Sequence, residues 1–267
     1  MIGDRDLIVI LRALLDSRHY IAFRRMFRVY LHPIDALSRY IFNIGNYPVK
    51  IGINTPEGVI DINIYSHDDI LTVNEIFCRI DYPTKKQDLV IVDFGSNIGI
   101  SGAYFLTCAP NSFVYLYEPL QINIDRLRDN LRQFEGRYAL HEIAVGRVDG
   151  EVEFGWENTG RYGGIGMETG KYILVACQDS NKILEEIVMR HGRIDILKID
   201  TETLEQQLTE RIPVALAKKI DRIYVEYVFD SNPLEQTHHR RQYGYITQFV
   251  NRDALGYEGN AAALPPP

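Results

Sequence analysis

The chain has 267 residues, of which 46% are hydrophobic, and a formal net charge of −7 at neutral pH. That length and apolar content suit one large α/β domain with additions, and the acidic balance argues against nucleic acid as a partner. The three cysteines are far apart and lack C-x-x-C spacing, which argues against a disulfide framework and a zinc site. No apolar run reaches the length of a membrane span and no signal peptide is evident, so we expect a cytoplasmic protein.

Residues 1–84 predict helices and a hairpin that extend a larger domain. Two helices are expected between Asp6 and about Tyr40, with a break at His32-Pro33. Their arginines suit a membrane surface or a partner, but a solvated helix face has the same pattern. A segment of this size has little core of its own, so we expect it to pack on the rest of the chain and to offer a surface for a homodimer.

A hairpin and a further helix complete this N-terminal extension. The hairpin strands are predicted at Val49–Ile53 and Val59–Ile64, because turn residues separate two β-branched runs. The helix is predicted from about Asp68 to Arg79, with Asp68 or Ser66 as its N-cap.

Strands and helices alternate across residues 85–258, which is typical of a doubly wound parallel sheet. Residues 155–170 contain six glycines and the single tryptophan, so we interpret them as a mobile lid over a site, although a disordered surface loop has the same composition. Residues 259–267 are expected to be a disordered tail. The later strands are predicted at Leu140–Val145, Ile194–Ile199, Arg222–Val228 and Tyr245–Val250, the last with a partner near Arg241, and the later helices at Gln121–Phe134, Asn181–Arg190 and Leu204–Leu216.

The most informative motif is the end of the strand Leu89–Phe94. The run passes through Asp93, Gly95 and Gly99 into a helix predicted at Ile100–Cys108. The glycines allow a ligand close to the backbone, but the spacing lacks the G-x-G-x-x-G of a dinucleotide site. An acid at the strand end suits a ligand with a cationic amino-acid end, such as S-adenosylmethionine, although a purely structural strand–turn–helix is the alternative.

A second acid supports a nucleoside site. The next strand, Phe113–Pro119, ends in Glu118, which can accept hydrogen bonds from both ribose hydroxyls. The alternative is that Glu118 only stabilises the N-terminus of the following helix. We expect Gly95, Ser96 and Asn97 to line the methionine part of the ligand and residues 143–145 its adenine. The complete predicted set is Asp93, Gly95, Ser96, Asn97, Gly99, Glu118, Pro119 and Ala144.

The strand Ile194–Ile199 carries Lys198 where a central strand should be apolar. A buried lysine needs a carboxylate partner, and Asp200, Glu202 and Glu226 are the candidates. Because ligands bind at the carboxyl ends of parallel strands, we predict that these four residues form the catalytic site. A structural Lys198–Asp200 pair is the alternative for two of them.

These motifs together resemble the FkbM family of class I S-adenosylmethionine-dependent methyltransferases. The resemblance implies a seven-stranded, mostly parallel Rossmann-like sheet and, in most members, methylation of hydroxyl oxygens on sugars, glycans or secondary metabolites. Thr203 departs from the pattern, because the family usually has glycine there. The resembling segments are Asp93–Gly99, Tyr117–Pro119, Ile194–Glu202, and Asp69–Phe77 leading to Asp81-Tyr82.

Methyl transfer to an alcohol needs close positioning and gains from a base. The acids above are the candidate bases, with His238 or His239 behind them, although that histidine pair is more typical of a solvated loop. A divalent metal bound by the carboxylates is an open alternative, and no metal ligand is assigned. Two other classes stay open, a nicotinamide-dependent Rossmann oxidoreductase and a non-catalytic binding module on the same fold.

Overall fold

The structure is a computed structural model that describes residues 17–157, 159–160 and 162–254, with side chains from residue 20 onward. The predicted start of the first helix at Asp6 and the predicted disordered tail at 259–267 therefore lie outside the described residues. Among the described residues, no helix is both long and apolar enough to cross a membrane.

The strands form a two-stranded hairpin, a seven-stranded sheet and a four-stranded sheet. In chain order they are β1 (Val49–Thr55), β2 (Gly58–Ile64), β3 (Val90–Phe94), β4 (Phe113–Tyr117), β5 (Tyr138–His141), β6 (Ala144–Gly146), β7 (Gly150–Trp156), β8 (Gly163–Ile165), β9 (Tyr172–Asp179), β10 (Ile194–Ile199), β11 (Ile220–Val225), β12 (His238–Tyr243) and β13 (Ile246–Asn251).

The helices lie between these strands. They are α1 (Ser17–Val29), α2 (Pro33–Phe42), α3 (His67–Val73), a π-helical turn (Asn74–Arg79), α4 (Ile100–Cys108), α5 (Gln121–Leu131) with a 3₁₀ turn (Arg132–Phe134), α6 (Ser180–His191), α7 (Glu205–Glu210) and α8 (Val214–Ala217).

The large sheet has the strand order β12-β13-β11-β10-β3-β4-β5. The five strands from β11 to β5 are parallel, whereas β13 and β12 run antiparallel at one end. Successive residues of the central strands alternate between two cores, as Ile196 and Leu197 do. Helices α4 and α5 cover one face and α6, α7 and α8 cover the other. The predicted doubly wound, mostly parallel seven-stranded sheet is therefore confirmed.

The N-terminal extension shares the core on one face of this sheet. Met26 of α1 and Tyr30 just after it are buried in the same apolar cluster as Ile91 and Phe105. Asn130 of α5 bonds the backbone of Asn63 in the hairpin through both its amide nitrogen and its oxygen. The division of the chain at residue 84 stays a prediction, but these contacts tie the extension to the sheet.

Local details of the extension follow from capping chemistry. Helix α1 ends at Val29 and α2 begins at Pro33, as the predicted break at His32-Pro33 requires. Ser66, and not Asp68, caps α3, and Asp69 completes a reciprocal capping box with Ser66. The predicted helix does not run regularly to Arg79, because its last six residues form the π-helical turn.

The four-stranded sheet is the main departure from the predicted elements. Leu140–Val145 is not one strand, because β5 pairs with β4 in the large sheet and β6 pairs with β9 in the small one. The strand order of the small sheet is β6-β9-β7-β8, and β7 and β9 were not predicted. The glycine-rich segment 155–170 therefore contains the end of β7 and all of β8, and is only partly a loop.

The predicted helix Leu204–Leu216 is also wrong. It divides into α7 and α8, with Pro213 at the N-cap of α8. Proline has no N–H and cannot continue the hydrogen bonding of a preceding helix, so the break occurs before it.

Candidate active site

Two clefts open at the carboxyl edge of the parallel strands. The main cleft encloses about 610 Å³, including space open to solvent, and five of the predicted binding residues line it. The acid cavity encloses about 660 Å³, also including space open to solvent, and is lined by Asp200, Glu202, Glu205 and Glu226 with Tyr227 and Tyr245. Asp200 and Glu202 line both clefts and so stand between them. The five binding residues in the main cleft are Gly95, Asn97, Glu118, Pro119 and Ala144.

The glycine turn after β3 is shaped by the protein's own backbone. Gly95 has φ +80°, and a Cβ there would lie 1.7 Å from the carbonyl oxygen of Asp200. Gly99 has φ +86°, and its Cβ would press on Leu127 of α5. Both residues therefore need to be glycine for internal packing, which differs from the predicted reason, close approach of a ligand.

Ser96 and Gly99 do not line the main cleft, although both were predicted binding residues. The Ser96 hydroxyl donates to the carbonyl of Asp93 at 2.9 Å and accepts the N–H of Tyr117 at 3.0 Å. These bonds join the ends of β3 and β4. Ser96 thus supports the turn, while Asn97, in a left-handed conformation with φ +47°, forms the wall.

Glu118 lies at the wall of the main cleft and is almost fully buried. One carboxylate oxygen accepts the N–H of Asn97 at 3.0 Å, and the other accepts the N–H of Leu120 at 3.0 Å and the side-chain amide of Asn123 at 3.3 Å. A carboxylate has about four acceptor positions, so about one is left for a ligand. The hydrogen bonds lower the pKa of Glu118, but burial has the larger effect and raises it to about 7.

Lys198 and Asp93 form a buried ion pair behind the clefts. The two residues are register partners on β10 and β3, and the ammonium lies 3.0 Å from the Asp93 carboxylate. The same ammonium contacts Asp200 at 3.0 Å and donates to the carbonyl of Gly95 at 3.0 Å. Asp93 also accepts the hydroxyl of Ser101 at 2.5 Å. Lys198 therefore joins the glycine turn to the loop that carries Asp200.

Neither Asp93 nor Lys198 lines a cleft, so both predicted roles stay predictions. Asp93 is fully buried and its carboxylate pairs with Lys198. Burial lowers the pKa of Lys198, but the carboxylates of Asp200 and Asp93 outweigh this and raise it overall. The lysine thus stays protonated and acts as a structural cation, not as a base.

Asp200 and Glu226 both line the acid cavity. The charge of Asp200, then burial, raises the pKa of Glu226 well above its ordinary value. With its pKa raised to about 9, Glu226 holds a proton at neutral pH.

Glu202 lies in a strained part of the loop after β10. Its φ of +69° is a left-handed conformation that non-glycine residues rarely adopt. On one side Thr201 is fixed by Glu205, which accepts the Thr201 N–H at 2.6 Å and its hydroxyl at 3.0 Å. On the other side the Thr203 hydroxyl donates to the carbonyl of Ile165 at 2.9 Å. Neither Glu205 nor the tie to Ile165 was predicted, and the tie to Ile165 depends on a contact across the fold.

The small sheet forms one wall of the main cleft. Phe154 of β7, Gly163 and Ile165 of β8, and Ala144 and Val145 of β6 line the cleft together with Glu118. Asn123 of α5 donates to the carbonyl of Gly160 at 2.7 Å as well as to Glu118. The glycine-rich segment thus lies over the cleft, as the interpretation as a lid requires, whereas its mobility stays a prediction.

The sequence match that decides the family covers these same elements. Residues 93–253 match the model of the FkbM methyltransferase domain, which is more than half of the chain. The chain belongs to the FkbM methyltransferase family. By its family, the domain is a methyltransferase domain. The match begins at Asp93 in the glycine turn and runs through the acid cavity to the last strand.

The solved structures to which this chain is similar are distant from it. The fibrillarin pre-rRNA processing protein of Methanococcus jannaschii is 14% identical, with 62% of this chain and 66% of that chain covered and a TM-score of 0.37. An O-methyltransferase family protein of Burkholderia thailandensis is 10% identical, with 69% and 59% covered and a TM-score of 0.39. Trm5b of Pyrococcus abyssi is 8% identical, with 78% and 56% covered and a TM-score of 0.37. The chain spans less than two thirds of each of these structures, and no curated protein matches it.

The predicted histidine pair of this FkbM domain, His238 and His239, lines neither cleft. His238 belongs to β12 and is fully buried, so its interpretation as part of a solvated loop is wrong. Its ring bonds Thr237 at 2.8 Å and the carbonyl of Ile220 at 3.1 Å, at the opposite end of β11 from Glu226. Burial lowers its pKa to about 4. The acids are thus the candidate bases, and among the described residues no group of three or more potential ligand side chains is arranged for a metal ion.

Proposed function

We propose that this FkbM domain transfers a methyl group from S-adenosylmethionine to a hydroxyl oxygen of a sugar, glycan or other polyhydroxylated metabolite. The observation that carries the proposal is that the main cleft and the acid cavity meet at Asp200 and Glu202. In-line displacement requires donor and acceptor to approach along one line, and two adjoining clefts with a shared wall provide that arrangement.

The residues of the main cleft fit this cofactor. The carboxylate of Glu118 has about one acceptor position left for a ribose hydroxyl. Residues 143–145 are suited to an adenine ring, and the backbone at Gly95 and Asn97 to the methionine part. When bound, the cofactor supplies an electrophilic methyl group and a positive sulfonium, and the shared carboxylates provide negative charge next to that position.

The acid cavity suits a neutral acceptor with several hydroxyl groups. Carboxylates accept hydrogen bonds from hydroxyls, and Tyr227 and Tyr245 add aromatic surface at the same cavity. Glu226, which holds a proton, can donate a hydrogen bond and orient the acceptor. Asp200 is then the carboxylate that takes the hydroxyl proton as the new oxygen–carbon bond forms.

An acceptor screen tests the proposal. Transfer of a labelled methyl group from S-adenosylmethionine should occur to sugars or polyols and not to amines. Asp200→Asn should lower turnover by about a hundredfold or more, as loss of a general base does, with little change in the dissociation constant for S-adenosylhomocysteine. Glu185→Gln, on the exposed side of α6, is the matched control and should leave turnover unchanged. Labelled amine products, or an Asp200→Asn variant as active as the wild type, would contradict the assignment.

A further inference from the structure

Thr203 stands at a position where the resembling family motif has glycine, and the structure gives this residue a specific contact. Its hydroxyl donates to the carbonyl of Ile165 in β8 at 2.9 Å. Thr203 belongs to the loop after β10, whereas Ile165 belongs to the small sheet. Both residues line the main cleft. The hydrogen bond therefore connects two walls of that cleft.

Gly164 is complementary to Thr203. A Cβ at Gly164 would lie 2.8 Å from the Thr203 methyl carbon and 3.0 Å from its hydroxyl. Real Cβ atoms almost never lie that close to another atom, so Gly164 leaves the space that the threonine side chain fills. The side chain of Thr203 and the lack of a side chain at Gly164 are thus parts of one packing arrangement.

The same bond holds one end of a strained residue. Glu202 keeps its left-handed conformation between Thr201, which Glu205 fixes, and Thr203, which Ile165 fixes. A conformation of this kind persists only where the surroundings determine it. Glu202 lines both clefts, so the orientation of its carboxylate depends on these two threonine anchors.

We propose that Thr203 is a positioning residue that fixes β8 as a wall of the cofactor cleft and holds Glu202 towards the junction of the two clefts. The inference deepens the proposed function, because it assigns the geometry of the same site to a residue that does not touch the reacting atoms. It also gives Gly164 a role as the steric partner of Thr203.

The single tryptophan reports on this wall. Trp156 of β7 is the register partner of Gly163 in β8, so a displacement of β8 changes its surroundings. Thr203→Val keeps the shape and removes the hydroxyl, whereas Thr203→Ser keeps the hydroxyl. We expect Thr203→Val to weaken binding of S-adenosylhomocysteine about fivefold, the effect of one lost hydrogen bond, and to increase quenching of Trp156 by acrylamide. Thr203→Ser should restore both values towards those of the wild type.

A double variant separates positioning from general destabilisation. Gly164→Ala should weaken binding of S-adenosylhomocysteine, because its methyl group meets Thr203. Combining it with Thr203→Gly removes two of the three close contacts, leaving only the carbonyl of Thr201 at 3.2 Å. The double variant should therefore bind S-adenosylhomocysteine more tightly than Gly164→Ala alone. If the two substitutions acted independently, their losses of affinity would add and the double variant would bind more weakly.

The outcomes distinguish this inference from the proposed function. If the wild type does not bind S-adenosylhomocysteine, the proposed function fails, and the quenching of Trp156 in the ligand-free variants still tests the link. Thr203→Val with unchanged quenching and unchanged affinity would overturn the role of Thr203. Additive losses of affinity for S-adenosylhomocysteine in the double variant would also overturn that role.

Discussion

The carboxylate of Glu118 combines burial with a position at the wall of the main cleft. Three internal hydrogen bonds already hold it, so it organises the turn at Asn97 and the start of α5 as well as facing the cleft. Replacement by alanine would remove those bonds too. A glutamine keeps the size and one acceptor oxygen, and is the sharper probe of binding.

The raised pKa of Glu118 predicts a pH dependence of ligand affinity. Burial raises the pKa to about 7 in the free protein, so the group is mostly ionised at pH 8 and mostly protonated at pH 6. The ionised form offers one more acceptor position, and affinity for S-adenosylhomocysteine should fall as pH decreases below 7, by up to about tenfold per pH unit. Calorimetric titrations between pH 8 and pH 6 measure this. Glu118→Gln should give a flat profile, and an equally steep profile in that variant would refute the assignment.

The effect of Glu118 on stability has the opposite sign. A carboxyl whose pKa is higher in the folded protein than the ordinary value of 4.5 favours the folded state when it is protonated. That contribution is fully present below pH 4.5 and is lost as pH rises through about 7. The protein therefore gives up some stability at neutral pH to keep this carboxylate ionised at the cleft.

At the scale of elements, the loop after β10 depends on two local contacts and one long-range contact. Lys198, Glu205 and Ile165 hold its two ends, and the left-handed Glu202 lies between them. Asp200 and Glu202 thereby become a shared wall of two clefts without any regular secondary structure of their own. Stability and function oppose each other at residue 202.

Glu202→Gly tests that opposition. A left-handed conformation costs a non-glycine residue about 1–2 kcal/mol, and glycine at this position avoids that cost. Part of the benefit is lost, because glycine makes the unfolded chain more flexible. We expect the free energy of unfolding to rise by about 1 kcal/mol in chemical denaturation, while methyl transfer falls. Glu185→Gly in the middle of α6 is the control and should lose about 1 kcal/mol. A destabilised Glu202→Gly protein would show that residue 202 is not strained. A Glu202→Gly protein with full activity would show that residue 202 is not functional.

At the scale of the whole molecule, the large sheet was predictable because its central strands are short apolar runs that end in turn residues. The acids at the carboxyl edge follow from the same topology. The direction of each side chain was not predictable, since Asp93 turns to Lys198 only because the two residues are register partners on adjacent strands. His238 shows the same limit, because its burial depends on pairing between β12 and β13.

The small sheet was missed for a different physical reason. Strands β7 and β9 carry many exposed residues, so their pattern resembles that of a polar loop. Glycines in β8 also weaken its strand pattern, although Gly164 is required by the contact with Thr203. The predicted homodimer stays a prediction, and the half-exposed Phe23 and Phe27 of α1 are the apolar surface available to it.

Calorimetric titration with S-adenosylhomocysteine, with NAD as the comparison ligand, tests the central claim most directly. The cleft at Glu118 and the glycine turn is assigned to an adenosine with a cationic amino-acid end, and the turn lacks the glycine spacing that holds a pyrophosphate. We expect saturable one-to-one binding of S-adenosylhomocysteine that Glu118→Gln weakens, and no saturable binding of NAD. Binding of NAD but not of S-adenosylhomocysteine by the folded protein would contradict it.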